Sequence, residues 1–116
     1  MIYTEDNIFQ KILKGEIPCK KVYEDPYVLA FHDIRPKASI HIVIIPKGQY
    51  VSFNDFTTQA SDQEIVAFMR AVQKTAQDLS MVQEGYRLIT NHGAHAHQEV
   101  PHFHMHLLGG EPLKGF

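Results

Sequence analysis

The chain has 116 residues, 11 basic and 13 acidic side chains, a net charge of −2 and 44% hydrophobic residues. That length fits one modest core, so a single domain over residues 1–116 is expected, and the near-balanced charge argues against nucleic acid as a partner. The longest apolar run, Ile42 to Ile45, falls far short of the roughly 20 residues that span a bilayer. With the lone Cys19 and an N-terminus broken by Glu5, Asp6 and Lys11, it predicts a protein of the reducing cytoplasm with no membrane partner.

In chain order, Ile8, Phe9, Ile12 and Leu13 recur at helical spacing before Gly15 and Pro18, which predicts one short helix. Lys21 to Glu24 and Tyr27 to His32 read as two strands of a hairpin turned at Asp25-Pro26. Ile40 to Ile45, rich in β-branched residues and closed by Pro46-Lys47-Gly48, is a strand whose polar exception is His41. Ser61-Asp62-Gln63-Glu64 has capping-box spacing. Ile65, Phe68, Met69, Val72, Ala76 and Leu79 then mark the core face of a long helix ending near Met81. Two last strands are expected at Tyr86 to Asn91 and His102 to Leu108. The order αβββαββ lacks strand–helix alternation and predicts an α+β fold on a largely antiparallel sheet.

Six of the eight histidines lie between His92 and His106. On a strand, His102, His104 and His106 share one face while Phe103, Met105 and Leu107 take the other. Three readings compete. Imidazoles are common zinc ligands, but alternate strand residues sit about 6.7 Å apart, so three in a row converge poorly on one ion. Plain solvated histidines are the second reading, although Thr, Ser or Lys would serve that face equally well. The third is nucleophilic catalysis at phosphorus, with a neutral imidazole attacking and its neighbours holding the tautomer, giving a proton and stabilising charge. Spacing alone leaves metal and nucleophile both open.

His102-Phe103-His104-Met105-His106-Leu107-Leu108 resembles the His-φ-His-φ-His-φ-φ signature of the histidine triad (HIT) family of nucleotide hydrolases and transferases. Further landmarks occur in family order: Phe31-His32-Asp33-Ile34-Arg35-Pro36, His41 with Ile42 to Lys47, Tyr86 to Asn91, Gln98-Glu99-Val100, and Leu107-Leu108-Gly109-Gly110. The first and last of these are most similar to the Hint branch, the purine nucleoside phosphoramidate hydrolases. The resemblance implies the HIT-like fold: a five-stranded, mainly antiparallel sheet with one short and one long helix, extended to ten strands in a homodimer. It implies hydrolysis of AMP–amine type substrates through a covalent nucleotidyl-histidine intermediate. The alternatives are a dinucleoside polyphosphate hydrolase, a purine-nucleotide-binding module with little turnover, or a metal-binding protein.

By the same resemblance His104 is the nucleophile, His106 assists the leaving group, and His102 and His41 orient them. Asp33 binds the ribose; Ile8, Phe9, His32 and Ile34 wall the base; Asn91, Gln98, Glu99 and Val100 approach sugar and phosphate. An ionised carboxylate can accept from two adjacent hydroxyls, which suits the role given to Asp33. The chain departs from the branch in three places. Ala96-His97 stands where glycines are usual, and Pro101 replaces an aromatic. Asn7, Gln10 and Gln49 occupy positions that hold a structural zinc in some members, so neither metal nor other cofactor is expected. No family role carries over to His92, His95 or His97.

Overall fold

The computed structural model describes residues 1–115. It contains α1 (Ile8–Leu13), β1 (Lys21–Glu24), β2 (Val28–His32), β3 (Ile40–Pro46), α2 (Phe53–Gln59), α3 (Asp62–Asp78), β4 (Tyr86–Ile89) and β5 (Met105–Gly109). The strands form one antiparallel sheet in the order β1-β2-β3-β5-β4, giving the expected α+β architecture. Among the described residues, no helix is long and apolar enough to cross a membrane.

The sheet has two unlike faces, and the period of β3 shows why. Ile42 and Ile44 point to a core built with α2 and α3, where Phe103 stacks on Phe56 at 4.8 Å and meets Phe68 at 5.0 Å. Val43 and Ile45 join Phe9, Leu29 and Phe31 on the opposite face, which α1 covers through Phe9. His41 belongs to that second face by the same alternation. Because Val43 opposes His106 and His41 opposes Leu108 across β3 and β5, His41 and His106 are diagonal neighbours.

Local chemistry sets the ends of the elements. Asn7 caps α1 by accepting from the Gln10 N–H, and Gly15, at φ 79°, follows its C-cap. The capping box of Ser61 and Glu64 forms as the sequence predicts. Gly110, at φ 81°, passes so close to Ile40 that an added Cβ would lie 2.8 Å from its Cγ1, which accounts for a glycine there.

Four details differ from expectation. Helix α2 has no clear sequence signal, since Asn54, Asp55, Thr57 and Thr58 are poor helix formers; burial of Phe56 holds it in place. Met69 is 54% exposed, because Phe68, Ala71, Val72, Thr75 and Ala76 form a narrower stripe. Helix α3 stops at Asp78, with Ser80 in the left-handed region, so Met81 is buried beyond the helix. Strand β5 begins only at Met105, because Phe103 gives its N–H to the Tyr50 carbonyl outside the sheet ladder, and β4 ends at Ile89.

Candidate active site

His102 and His104 enter from the irregular segment before β5, His106 from β5, His41 from β3 and Asp33 from the turn after β2. Their order along the sheet follows from alternation. What the sequence leaves open is which ring nitrogen carries each proton, and the backbone decides that.

Nδ1 of His104 lies 2.7 Å from the His102 carbonyl. A carbonyl only accepts, so Nδ1 bears the proton and, in a neutral ring, Nε2 is a bare lone pair. The Thr90 hydroxyl donates to the His104 carbonyl at 2.8 Å, and the edge of Phe9 packs on the ring at a centroid distance of 4.9 Å. His104 is buried, which pushes its pKa down, opposed by the His102 carbonyl and the charges of Asp33 and Glu99. The ring is therefore neutral and aimed by its own backbone two residues back.

The same logic runs through the second pair. The Lys37 N–H donates to Nδ1 of His41 at 3.1 Å, so His41 carries its proton on Nε2. That proton goes to Nδ1 of His106, 2.9 Å away, which leaves His106 with Nε2–H as its free donor. Burial, then His104 and His41, lower the pKa of His106 to about 4, and burial also lowers that of His41. The site thus presents one bare nitrogen on His104 and one N–H on His106, with ring centroids 5.2 Å apart.

Asp33 uses Oδ1 to accept from the Arg35 N–H at 2.7 Å, while Oδ2 stands 3.5 Å from His41 Nε2. A cleft of about 640 Å³ opens beside it, lined by Pro18, Cys19, Lys20, His32, Asp33 and Ile34. His32 and Ile34 are exposed on its rim, whereas Ile8 is exposed on α1 and Phe9 is buried against His104. Pro18, Cys19 and Lys20 are cleft residues that no sequence motif singled out.

Gln98 is buried and fully engaged: Oε1 accepts from the Gly93 N–H, and Nε2 donates to the carbonyls of Val51 at 2.7 Å and Val100 at 3.0 Å. Its side chain braces the loop. Val100 packs against the core beneath α1, Asn91 is half-buried, and Glu99 is exposed with its charge felt at His104. His92, His95 and His97 are exposed and, among the described residues, belong to no cluster that could hold an ion.

His97 closes the short 3-10 turn Ala94–Ala96 in the left-handed conformation, φ 57° and ψ 41°. A side chain there costs about 1–2 kcal/mol, partly offset by the extra unfolded-state freedom a glycine would bring. His97→Gly should therefore stabilise the protein by about 0.5–1 kcal/mol in urea unfolding. An unchanged or lower midpoint would show that the imidazole makes a compensating contact.

Asp33, His41 and His106 offer ligand atoms within 4.8 Å of one another, the one such group among the described residues. An ion there would displace the proton shared by His41 and His106. No buried side-chain nitrogen or oxygen among the described residues lacks a hydrogen-bond partner, so the network is complete as it stands. The positions compared with a structural zinc are engaged elsewhere: Asn7 in its cap, Gln10 with Tyr3, and Gln49 with Glu5.

The chain is 49% identical over 111 residues to an uncharacterised HIT-like protein of Azospirillum brasilense, covering 96% of this chain and 91% of that one. It is 44% identical over 110 residues to a purine nucleoside phosphoramidase of Escherichia coli K12, covering 95% and 92%. Among solved structures, a histidine triad protein from Clostridium difficile superposes with a TM-score of 0.86 at 40% identity, covering 99% of each chain. A model of the HIT domain family matches residues 14–113, and with these relatives it establishes that the chain belongs to the HIT family.

Proposed function

We propose that the protein is a hydrolase of purine nucleoside phosphoramidates, acting through a nucleotidyl group carried on His104. The observation that carries this reading is the hydrogen bond from His104 Nδ1 to the His102 carbonyl, which leaves Nε2 of this largely buried ring unprotonated beside a proton donor. The E. coli relative named purine nucleoside phosphoramidase supports the substrate class.

In this reading Asp33 accepts the ribose hydroxyls with the lone pairs that Arg35 leaves free, and the base lies along the cleft by His32 and Ile34. The lone pair on His104 Nε2 attacks the α-phosphorus as the P–N bond breaks, and the amine leaves with the Nε2 proton of His106, which the bound phosphoryl anion holds in its protonated form. A water then attacks the same phosphorus, returns one proton to His106, and releases the nucleoside monophosphate and free His104. Burial serves the attack, since His104 must be neutral for its Nε2 to carry a lone pair.

The protein is further proposed to act as a homodimer. β4 is an edge strand whose Tyr86, Leu88 and Ile89 are partly exposed, which suits pairing with a second copy into one ten-stranded sheet. On the opposite side of the sheet from the histidines, α3 leaves Val66 and Met69 exposed as well. The reaction itself is tested by quenching enzyme during turnover of adenosine phosphoramidate and measuring its intact mass. An added AMP on a peptide containing His104 is the expected result; AMP release with no adduct at any quench time counts against the covalent route.

A further inference from the structure

The first histidine of the triad has a partner that the mechanism does not use. His102 is fully buried, and its two ring nitrogens meet the Pro46 carbonyl at 2.8 Å and the Tyr3 hydroxyl at 2.7 Å. Proline has no N–H and its carbonyl only accepts, so Nε2 of His102 must carry the proton. Burial holds this ring neutral, with its pKa lowered to about 4. Nδ1 is then a bare acceptor, and the group beside it is a tyrosine hydroxyl.

That hydroxyl has one proton and two neighbours, since Gln10 of α1 lies 2.9 Å away through Oε1. The His102 lone pair can only receive, whereas a carboxamide can be turned to present its NH2 instead. The proton therefore goes to His102, and Gln10 faces Tyr3 as a donor.

We infer that Tyr3 is a positioning residue of the triad, its hydroxyl fixing the tautomer and plane of His102 and, through the His102 carbonyl, the ring of His104. Three hydrogen bonds converge on His102: Tyr3 O–H to its Nδ1, its Nε2–H to the Pro46 carbonyl, and His104 Nδ1–H to its backbone carbonyl. Tyr3 also lies against the His102 ring at a centroid distance of 5.5 Å, so the N-terminal segment clamps the one residue whose backbone aims the nucleophile. The role rests on the reading of His104 as nucleophile for its kinetic consequence, but not for its structural one.

The test uses Tyr3→Phe, which keeps the ring packing and removes only the oxygen. In 15N spectra of the histidine side chains, the Nδ1 resonance of His102 should move downfield as its hydrogen bond is lost, and the Nδ1–H signal of His104 should shift or broaden. Turnover of adenosine phosphoramidate should fall about tenfold in kcat with KM little changed, the cost of a buried acceptor left unpaired being paid in nucleophile alignment. Unmoved ring resonances, or a loss confined to KM, would overturn the proposal. Should the parent protein show no turnover, the ring resonances still decide the role of Tyr3, so failure of the hydrolase reading remains distinguishable from failure of this one.

Discussion

His104→Asn should abolish turnover, lowering kcat by at least about 10⁴-fold while nucleotide affinity stays within a few-fold, because loss of a nucleophile removes the covalent route altogether. Asparagine is the informative replacement. Its amide N–H can reach the His102 carbonyl as Nδ1 does, so the local backbone geometry is kept and only the attacking nitrogen disappears. The Thr90 hydroxyl bonds the carbonyl of residue 104, not its side chain, and survives the change. By contrast His106→Gln, which removes a positioned proton donor, should cost about 10²–10⁴-fold. Single-turnover kinetics on adenosine phosphoramidate, with binding of AMP measured separately, checks both. Parent-rate turnover by the Asn variant would falsify the nucleophile assignment.

The contrast between these two variants reflects a division already visible in the chain. Alternation of His102, His104 and His106 against Phe103, Met105 and Leu107 is legible in the sequence because a strand and the turn leading into it conserve the period of two. His41 is legible for the same reason, as a polar residue in an apolar strand. What the sequence could not show is the protonation pattern, since it is set by backbone carbonyls and N–H groups that any residue supplies: Pro46 and His102 as acceptors, Lys37 as donor. Tyr3 and Thr90 escaped for a related reason. One reaches His102 across 99 positions of chain, the other bonds a carbonyl 14 residues away, and neither lies in a motif. Gln98 shows the converse, a motif residue whose side chain is spent on Gly93, Val51 and Val100. Helix α2 was hidden because its hold on the fold is tertiary, through Phe56, with propensity against it.

The second large effect is on stability in acid. His102, His104, His106 and His41 all have pKa values below the ordinary histidine value near 6.5, with burial the first cause in each, and His102 and His106 fall to about 4. Unfolding returns each ring to water and to its ordinary pKa. Below about pH 6.5 the unfolded chain therefore binds protons that the folded chain refuses, and stability falls with pH. The contribution is fully present above pH 6.5 and is lost progressively as pH drops toward the folded value near 4. For His102, which has no exposed surface, the limit is about 3 kcal/mol, a large part of the 5–15 kcal/mol typical of a domain. His106 adds less than its shift suggests, since its ring borders the open site and water screens it. Glu24 and Glu64, whose pKa values are lowered, act in the same direction but only below the carboxylate range, so the window from pH 6.5 to 4.5 belongs to the histidines. Urea midpoints at half-unit steps from pH 8 to 4.5 should be level above 7 and fall steadily below 6.5. His102→Asn should be less stable at neutral pH yet show a shallower acid slope, because it removes one of the protons taken up on unfolding. A parent protein with a level midpoint down to pH 5 would mean that these rings accept protons in the folded state, and a site built on neutral imidazoles would lose its basis.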